Sequence, residues 1–177
     1  MALTILITGG ARSGKSVLAE KLALEFPAPL CYLATAETLD VEMEERVRQH
    51  RERRGEQWHT LEEPLDLLLA LKGCDGRHGV ILVDCITLWL SNLLFASEIS
   101  EGDLEELVLS HVRQLAECLR ELKSTVILVS NEVGMGIVPE NRLARLYRDI
   151  AGRANQLLAA AADEVHVVIS GIPLRLK

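Results

Sequence analysis

An apolar run at residues 3–8 leads into Gly9–Gly10–Ala11–Arg12–Ser13–Gly14–Lys15–Ser16, and a helical pattern over residues 17–25 leads out of it. Strand, glycine-rich turn and helix in that order, with the spacing G-x-x-x-x-G-K-S, form the pattern of a phosphate-binding P-loop. Glycines let the backbone curl until consecutive N–H groups point at phosphate oxygens. A helix starting at Lys15 adds the positive end of its dipole. Lys15 is expected to reach the β- and γ-phosphates, and the Ser16 hydroxyl to ligate Mg²⁺. All eight residues are therefore candidates for nucleotide binding.

The rest of the chain repeats the same alternation. The run at 3–8 reads as a strand buried on both faces, 80–84 as another buried strand, and 30–34, 125–130 and 164–169 as further strands. Between them, residues 65–71, 87–96, 104–122 and 141–161 carry helical spacing, and Ser100-x-x-Asp103 resembles a capping box. Residues 58–64 read as irregular and 73–79 as a loop. Residues 172–176 are placed to pair back as a short antiparallel edge strand. The fold expected is α/β, a P-loop NTPase of the RecA-like kind, forming one domain over residues 1–177 around a mostly parallel sheet.

The formal net charge is −7, so the chain lacks the basic footprint of a nucleic-acid binder, and an anionic ligand needs a local site. The four cysteines, Cys31, Cys74, Cys85 and Cys118, have no C-x-x-C spacing. Cys31 and Cys85 read as small buried hydrophobes, a zinc site or disulfide framework is not expected, and a reducing cytoplasm fits. No signal peptide or apolar stretch of membrane-spanning length is read.

Asp84 ends an apolar strand and is the expected Walker-B acid, holding Mg²⁺ opposite Ser16. Residues 40–54 form a charged helical stretch that Gly55 stops. Arg46, His50 and Arg54 stand four apart on one face, with Arg53 close by. Like charge disfavours the imidazolium, which leaves His50 neutral and nucleophilic, while the arginines suit phosphate oxygens. Taken alone, the run reads equally as a solvated surface helix that contains a histidine. Glu62 and Glu63 face the same edge or are ordinary loop acids. Arg142, Arg145, Arg148 and Arg153 suit phosphates, a partner subunit or solvent. Gly134 and Gly136 follow a strand and suit either a ligand or a flexible turn. His59 is read in a turn, His78 in a loop, His111 at a core edge and His166 in a strand. No pair of them has metal-ligand spacing.

Five stretches together resemble one family: GGARSGKS at 9–16, D-x-E-M-x-x-R-x-x-x-H at 40–50, W-x-T-x-E-E-P at 58–64, DCITLWLSNLL at 84–94, and SNEVGMGIVPENRLAR with RDIAGRANQ over 130–156. The SGIPLRLK ending is also similar. The family is the bifunctional adenosylcobinamide kinase / adenosylcobinamide-phosphate guanylyltransferase of cobalamin (vitamin B12) biosynthesis. The resemblance implies phosphorylation of adenosylcobinamide by ATP or GTP. It then implies transfer of GMP from GTP, through a guanylylated histidine, to adenosylcobinamide phosphate. Carried onto this chain, that histidine is His50. The nucleotide then lies against Gly9–Ser16, Ala34, Thr35, Ala36, Arg51, Glu52, Arg53, Arg54, Glu62 and Asp84. The resemblance implies a homo-oligomer as well, and suggests a trimer.

Two other readings compete. A monofunctional P-loop small-molecule kinase and a regulatory NTP-binding module both use the same loop, and neither needs a nucleophilic His50.

Overall fold

The computed structural model describes residues 2–36, 55, 57–97 and 101–177, with residues 101 and 102 described in backbone only. The charged run 40–54 and Ser100 lie outside the described residues. Seven strands make one sheet: β1 Thr4–Gly9, β2 Leu30–Ala34, β3 Trp58–Glu62, β4 Val80–Asp84, β5 Thr125–Asn131, β6 Glu164–Ile169 and β7 Ile172–Arg175. Their order is β3-β2-β4-β5-β1-β6-β7. Every neighbouring pair is parallel except β6–β7, the antiparallel edge pair expected from the C-terminal residues. Five described helices connect them: α1 Lys15–Ala23, α2 Leu67–Cys74, α3 Ile86–Ala96, α4 Glu101–Leu119 and α5 Arg142–Ala161.

Burial on both faces follows from the period of two along each strand. Leu6, Cys31, Leu33, Ile81, Val83, Val126 and Leu128 point to the face covered by α2, α3, α4 and α5. Ile5, Ile7, Leu30, Tyr32, Val80, Leu82, Ile127 and Val129 point to the other face, where Ala19 and Ala23 of α1 pack. Small alanines on α1 let it lie close to the sheet, which keeps the end of β1 and the start of α1 in one tight turn.

Two segments differ most from the sequence reading, and the helices read to 25 and 122 end earlier, at Ala23 and Leu119. Residues 58–62 are not irregular but form β3, paired in register from Leu30↔Trp58 to Ala34↔Glu62. As an edge strand, β3 is only half-buried, so it carries His, Thr and Glu in place of an apolar run. The helix expected at 65–71 starts at Leu67 and continues through Gly73 to Cys74. The Glu63 carboxylate accepts from the N–H groups of Leu65 (3.0 Å) and Asp66 (2.8 Å), which turns the chain before the helix starts. Asn141, read as the first residue of this helix, is its N-cap, the side chain accepting from Ala144 N–H at 3.0 Å.

Candidate nucleotide site at the carboxyl ends of the strands

The loop after β1 lies at the carboxyl edge of the sheet, where open α/β folds bind ligands. Arg12 (φ 56°) and Gly14 (φ 99°) both adopt left-handed backbone, which folds the loop over the start of α1. A Cβ on Gly9 would lie 2.6 Å from Ser13 Oγ and 2.6 Å from Val168 O, so the position has no room for a side chain. Ser13 N–H donates to Gly10 O (3.2 Å), and Gly171 N–H donates to Ser13 O (2.8 Å), tying the loop to the β6–β7 turn. The N-cap of α1 is Gly14, with no side-chain cap and no acid in the first turn. Its first amides therefore lack the usual side-chain acceptors, an arrangement that suits an anion. Ser13 Oγ is buried with no hydrogen-bond partner among the described residues, so the cradle also offers a polar atom to a ligand.

Lys15 is buried, and its Nζ donates to Gly10 O at 3.0 Å. Burial pulls its pKa below the ordinary lysine value, while the charges of Asp84 and Cys85 pull the other way. The ammonium is thus held inside the loop, underpaid by the protein and available to phosphate oxygens. Asp84 ends β4, half-buried, and Tyr32 Oη donates to its Oδ2 at 3.0 Å. Ser16 stands half-buried in the first turn of α1. A hydroxyl and a carboxylate are hard oxygen donors of the kind Mg²⁺ takes.

Thr35 is fully buried. Its hydroxyl donates to Cys85 O (2.7 Å) and accepts from Cys85 N–H (2.9 Å), and its own N–H donates to Asp84 O (3.2 Å). It holds the end of β4 and so the position of Asp84; the Asp84–Cys85 peptide is cis. Ala34 is buried, Ala36 half-buried, and Glu62 exposed opposite Ala34 at the tip of β3. Asn92 of α3 donates through Nδ2 to Thr35 O (2.7 Å) and Pro64 O (3.1 Å), bracing the exits of β2 and β3 together. His50, Arg51, Glu52, Arg53 and Arg54, with Arg46, lie outside the described residues.

A second polar network, which the sequence reading missed, supports the floor. Ser130 Oγ donates to Asn155 Oδ1 (2.6 Å), and Asn155 Nδ2 donates to Asn131 O (3.2 Å) and Glu132 Oε1 (3.1 Å). Glu132 N–H donates to Gly9 O at 3.0 Å, linking this network to the P-loop. Asn131 Nδ2 donates to Thr87 Oγ1 (3.0 Å), and Tyr147 Oη donates to Thr87 O (2.9 Å). Burial, with the neighbouring Cys85, pushes the Tyr147 hydroxyl up to about 12, so it stays protonated and donating. The visible signal in the sequence was Asn155 on the inner, buried face of α5.

The helical arginines divide. Arg145 donates to the carbonyls of Pro139 and Glu140, and Arg148 to that of Gly134, so both hold the loop after β5. Arg153 pairs with Glu105. His59 lies in β3, not in a turn, and stacks on His78 with ring centroids 5.5 Å apart. His111 contacts Leu107 O, and His166 contacts Glu164.

The model of the family described as cobinamide kinase / cobinamide phosphate guanyltransferase matches residues 5–176. The chain is 46% identical over 172 residues to the bifunctional adenosylcobalamin biosynthesis protein CobP of Pseudomonas aeruginosa, covering 97% of this chain and 96% of that protein. It is 43% identical to the bifunctional adenosylcobalamin biosynthesis protein CobU of Escherichia coli and 46% identical to that of Salmonella typhimurium. Each of these alignments covers 99% of this chain and 100% of the relative. Among solved structures, the flagellar accessory protein FlaH from Methanocaldococcus jannaschii superposes with a TM-score of 0.51 at 18% identity. That match covers 99% of this chain and 78% of that one, and it is a likeness of fold alone. The P-loop cradle and the end-to-end family match agree: the chain belongs to the cobinamide kinase / cobinamide phosphate guanyltransferase family.

Proposed function

We propose that this chain is a bifunctional enzyme of cobalamin biosynthesis, adenosylcobinamide kinase and adenosylcobinamide-phosphate guanylyltransferase. The observation that carries the reading is a formed phosphate cradle, with a buried lysine, in a chain that aligns end to end with relatives named as bifunctional.

In the kinase step, the substrate's aminopropanol hydroxyl oxygen bonds to the γ-phosphorus of ATP or GTP. The bond to the β–γ bridging oxygen breaks, the nucleoside diphosphate leaves, and the hydroxyl proton passes to solvent. The residues Gly9 to Ser16 surround the phosphates with backbone N–H groups, and Lys15 neutralises the charge that builds on the leaving oxygens. Mg²⁺, held by Ser16 and Asp84, supplies further charge neutralisation when bound. Thr35 and Tyr32 fix Asp84 in place.

In the transferase step, a ring nitrogen of His50 bonds to the α-phosphorus of GTP and pyrophosphate leaves. A phosphate oxygen of adenosylcobinamide phosphate then attacks the same phosphorus, and the P–N bond breaks to regenerate His50. One hard displacement becomes two easier ones. Arg51, Glu52, Arg53, Arg54, Glu62 and residues 34–36 complete the nucleotide contacts in this reading. One domain carries both reactions, in the cytoplasm, as a homo-oligomer of the trimeric kind that the resemblance implies. Among the described residues no helix is long and apolar enough to cross a membrane.

The test is Mg²⁺ and GTP labelled on the α-phosphate, followed by denaturation, with His50→Asn alongside. Retained label that is acid-labile, alkali-stable and absent from the variant is expected. A folded, GTP-binding wild type without label would leave a plain kinase or a regulatory NTPase.

A further inference from the structure

At the opposite end of the sheet from the P-loop, three soft or borderline donors converge. Cys31, near the start of β2, and Cys74, the last residue of α2, place their Sγ atoms 3.5 Å apart. Each contributes one atom, with one from His78, to a set lying within 4.8 Å of one another. Both thiols are buried, whereas His78 is half-buried, so the cluster opens toward solvent on its imidazole side. His59, the register partner of Cys31 on β3, stacks against His78 and borders that opening.

The donors are separated by 43 residues between Cys31 and Cys74, so their meeting is a tertiary event. The frame around them is firmly bonded. Gly79 N–H donates to Pro29 O (2.9 Å), and Gly76 N–H donates to Ser124 Oγ (2.9 Å). Ser124 Oγ in turn donates to His78 O (2.9 Å), and Asp75 Oδ1 accepts from Lys123 N–H and Ser124 N–H at 2.8 Å each. The loop bearing His78 is thus pinned to the residues that lead into β2 and β5, the kind of support a metal site needs. Zinc–thiolate bonds of about 2.3 Å in a tetrahedron put two sulfurs about 3.8 Å apart. The observed 3.5 Å needs only a small outward movement.

The geometry points to a divalent zinc-class site formed by Cys31, Cys74 and His78, structural in role and separate from the nucleotide site. Two thiolates and an imidazole exclude a hard cation such as Mg²⁺ and select a borderline or soft one. Loading forms two metal–sulfur bonds and one metal–nitrogen bond and releases two thiol protons to solvent. The fourth position faces the side bordered by His59. A bound ion joins α2 to β2 and to the loop before β4, at the end of the sheet away from the phosphate cradle.

Chelator-treated protein, shown to be fully reduced by counting four thiols in a denatured sample, is mixed with Co²⁺, whose thiolate charge-transfer absorption in the near ultraviolet reports sulfur ligation. The expected result is saturation at one equivalent, displacement by one equivalent of Zn²⁺, and no change on adding Mg²⁺ and GTP. Cys31→Val and Cys74→Ala, which keep the core apolar, should abolish the band, and His78→Ala should weaken Co²⁺ binding at least tenfold. Cys118→Ser should leave the band intact. Folding of each variant is checked by its thermal transition and by GTP binding. Zn²⁺ should raise the wild-type transition temperature and leave that of Cys31→Val unmoved. A wild type without the band overturns the proposal. So does a band that survives in folded Cys31→Val and Cys74→Ala, or one that Mg²⁺ and GTP remove.

Discussion

At the carboxyl end of the sheet, the turn after β1 leaves the Ser13 hydroxyl buried without a partner and α1 without a side-chain cap. At the amino end, the turn between α2 and β4 does the reverse. Asp75, Gly76, His78 and Gly79 all bond to Ser124, Lys123 or Pro29, so polar groups that could face water face each other. Both turns follow the same rule that buried polar groups need partners. One end satisfies it within the protein, while the other leaves the Ser13 hydroxyl without a partner among the described residues and α1 without a side-chain cap. Stability and binding should therefore separate along the strand axis.

The largest expected effects come from two glycines, one at each end. A Cβ on Gly79 would lie 1.9 Å from Pro27 O, and one on Gly9 would lie 2.6 Å from both Ser13 Oγ and Val168 O. Gly79→Ala should cost on the order of 3 kcal/mol of stability. The fraction that folds should bind GTP with wild-type affinity. Gly9→Ala should cost stability and also GTP affinity, by at least a hundredfold. Urea unfolding beside GTP titration checks both; equal GTP affinity in the two variants would break the separation of the two ends.

Next is Lys15→Met. Burial outweighs the attraction of Asp84 and Cys85 for the Lys15 ammonium, so the protonated lysine is a burden to the unliganded fold. Its folded pKa lies below the unfolded one, so the destabilisation is complete below the folded pKa and is relieved as pH rises from there toward 10.5. The methionine variant, without GTP, should melt no lower than wild type, yet lose the rise in melting temperature that GTP gives. A clear drop in the unliganded melting temperature would refute this account of Lys15.

The smallest effect is expected at Asp75. Burial works against its carboxylate, but the N–H groups of Ser124, Lys123 and Gly76 and the Ser124 hydroxyl prevail, holding its pKa below 3.8. Its contribution is therefore present above the ordinary carboxylate range and lost as pH falls through the lower, folded value. Asp75→Asn should cost about 1 kcal/mol at neutral pH. It should also flatten the fall in stability below pH 3.8, with GTP binding at neutral pH unchanged. Guanidinium unfolding across pH 2.5–7 (a range of about that span suits carboxylates) measures it.

β1, β2, β4 and β5 stood out in the sequence because largely apolar runs suit burial on both faces of a parallel sheet, and β6 was read as a fifth strand although Glu164 and His166 interrupt it. The P-loop stood out because its demands are local: two glycines, a lysine and a hydroxyl at fixed offsets between strand and helix. β7 was legible from its position, following a two-residue turn, Ser170–Gly171, with positive φ at both residues. β3 was not legible, because an edge strand needs no apolar run and becomes a strand only by pairing with β2. The His50 helix was read from charge spacing and falls outside the described residues.

By itself, then, the sequence determined the alternation of strands and helices, the phosphate loop, and Asp84 at a strand tip, all set by contacts among near neighbours in the chain. Tertiary structure decided what surrounds them. It buried Thr35 against the Asp84–Cys85 peptide 50 residues away, joined Asn155 to Ser130, and brought Cys31 to Cys74. Those pairings rest on strand order and register, and register is fixed only when the whole hydrophobic set of each strand finds its face of the sheet.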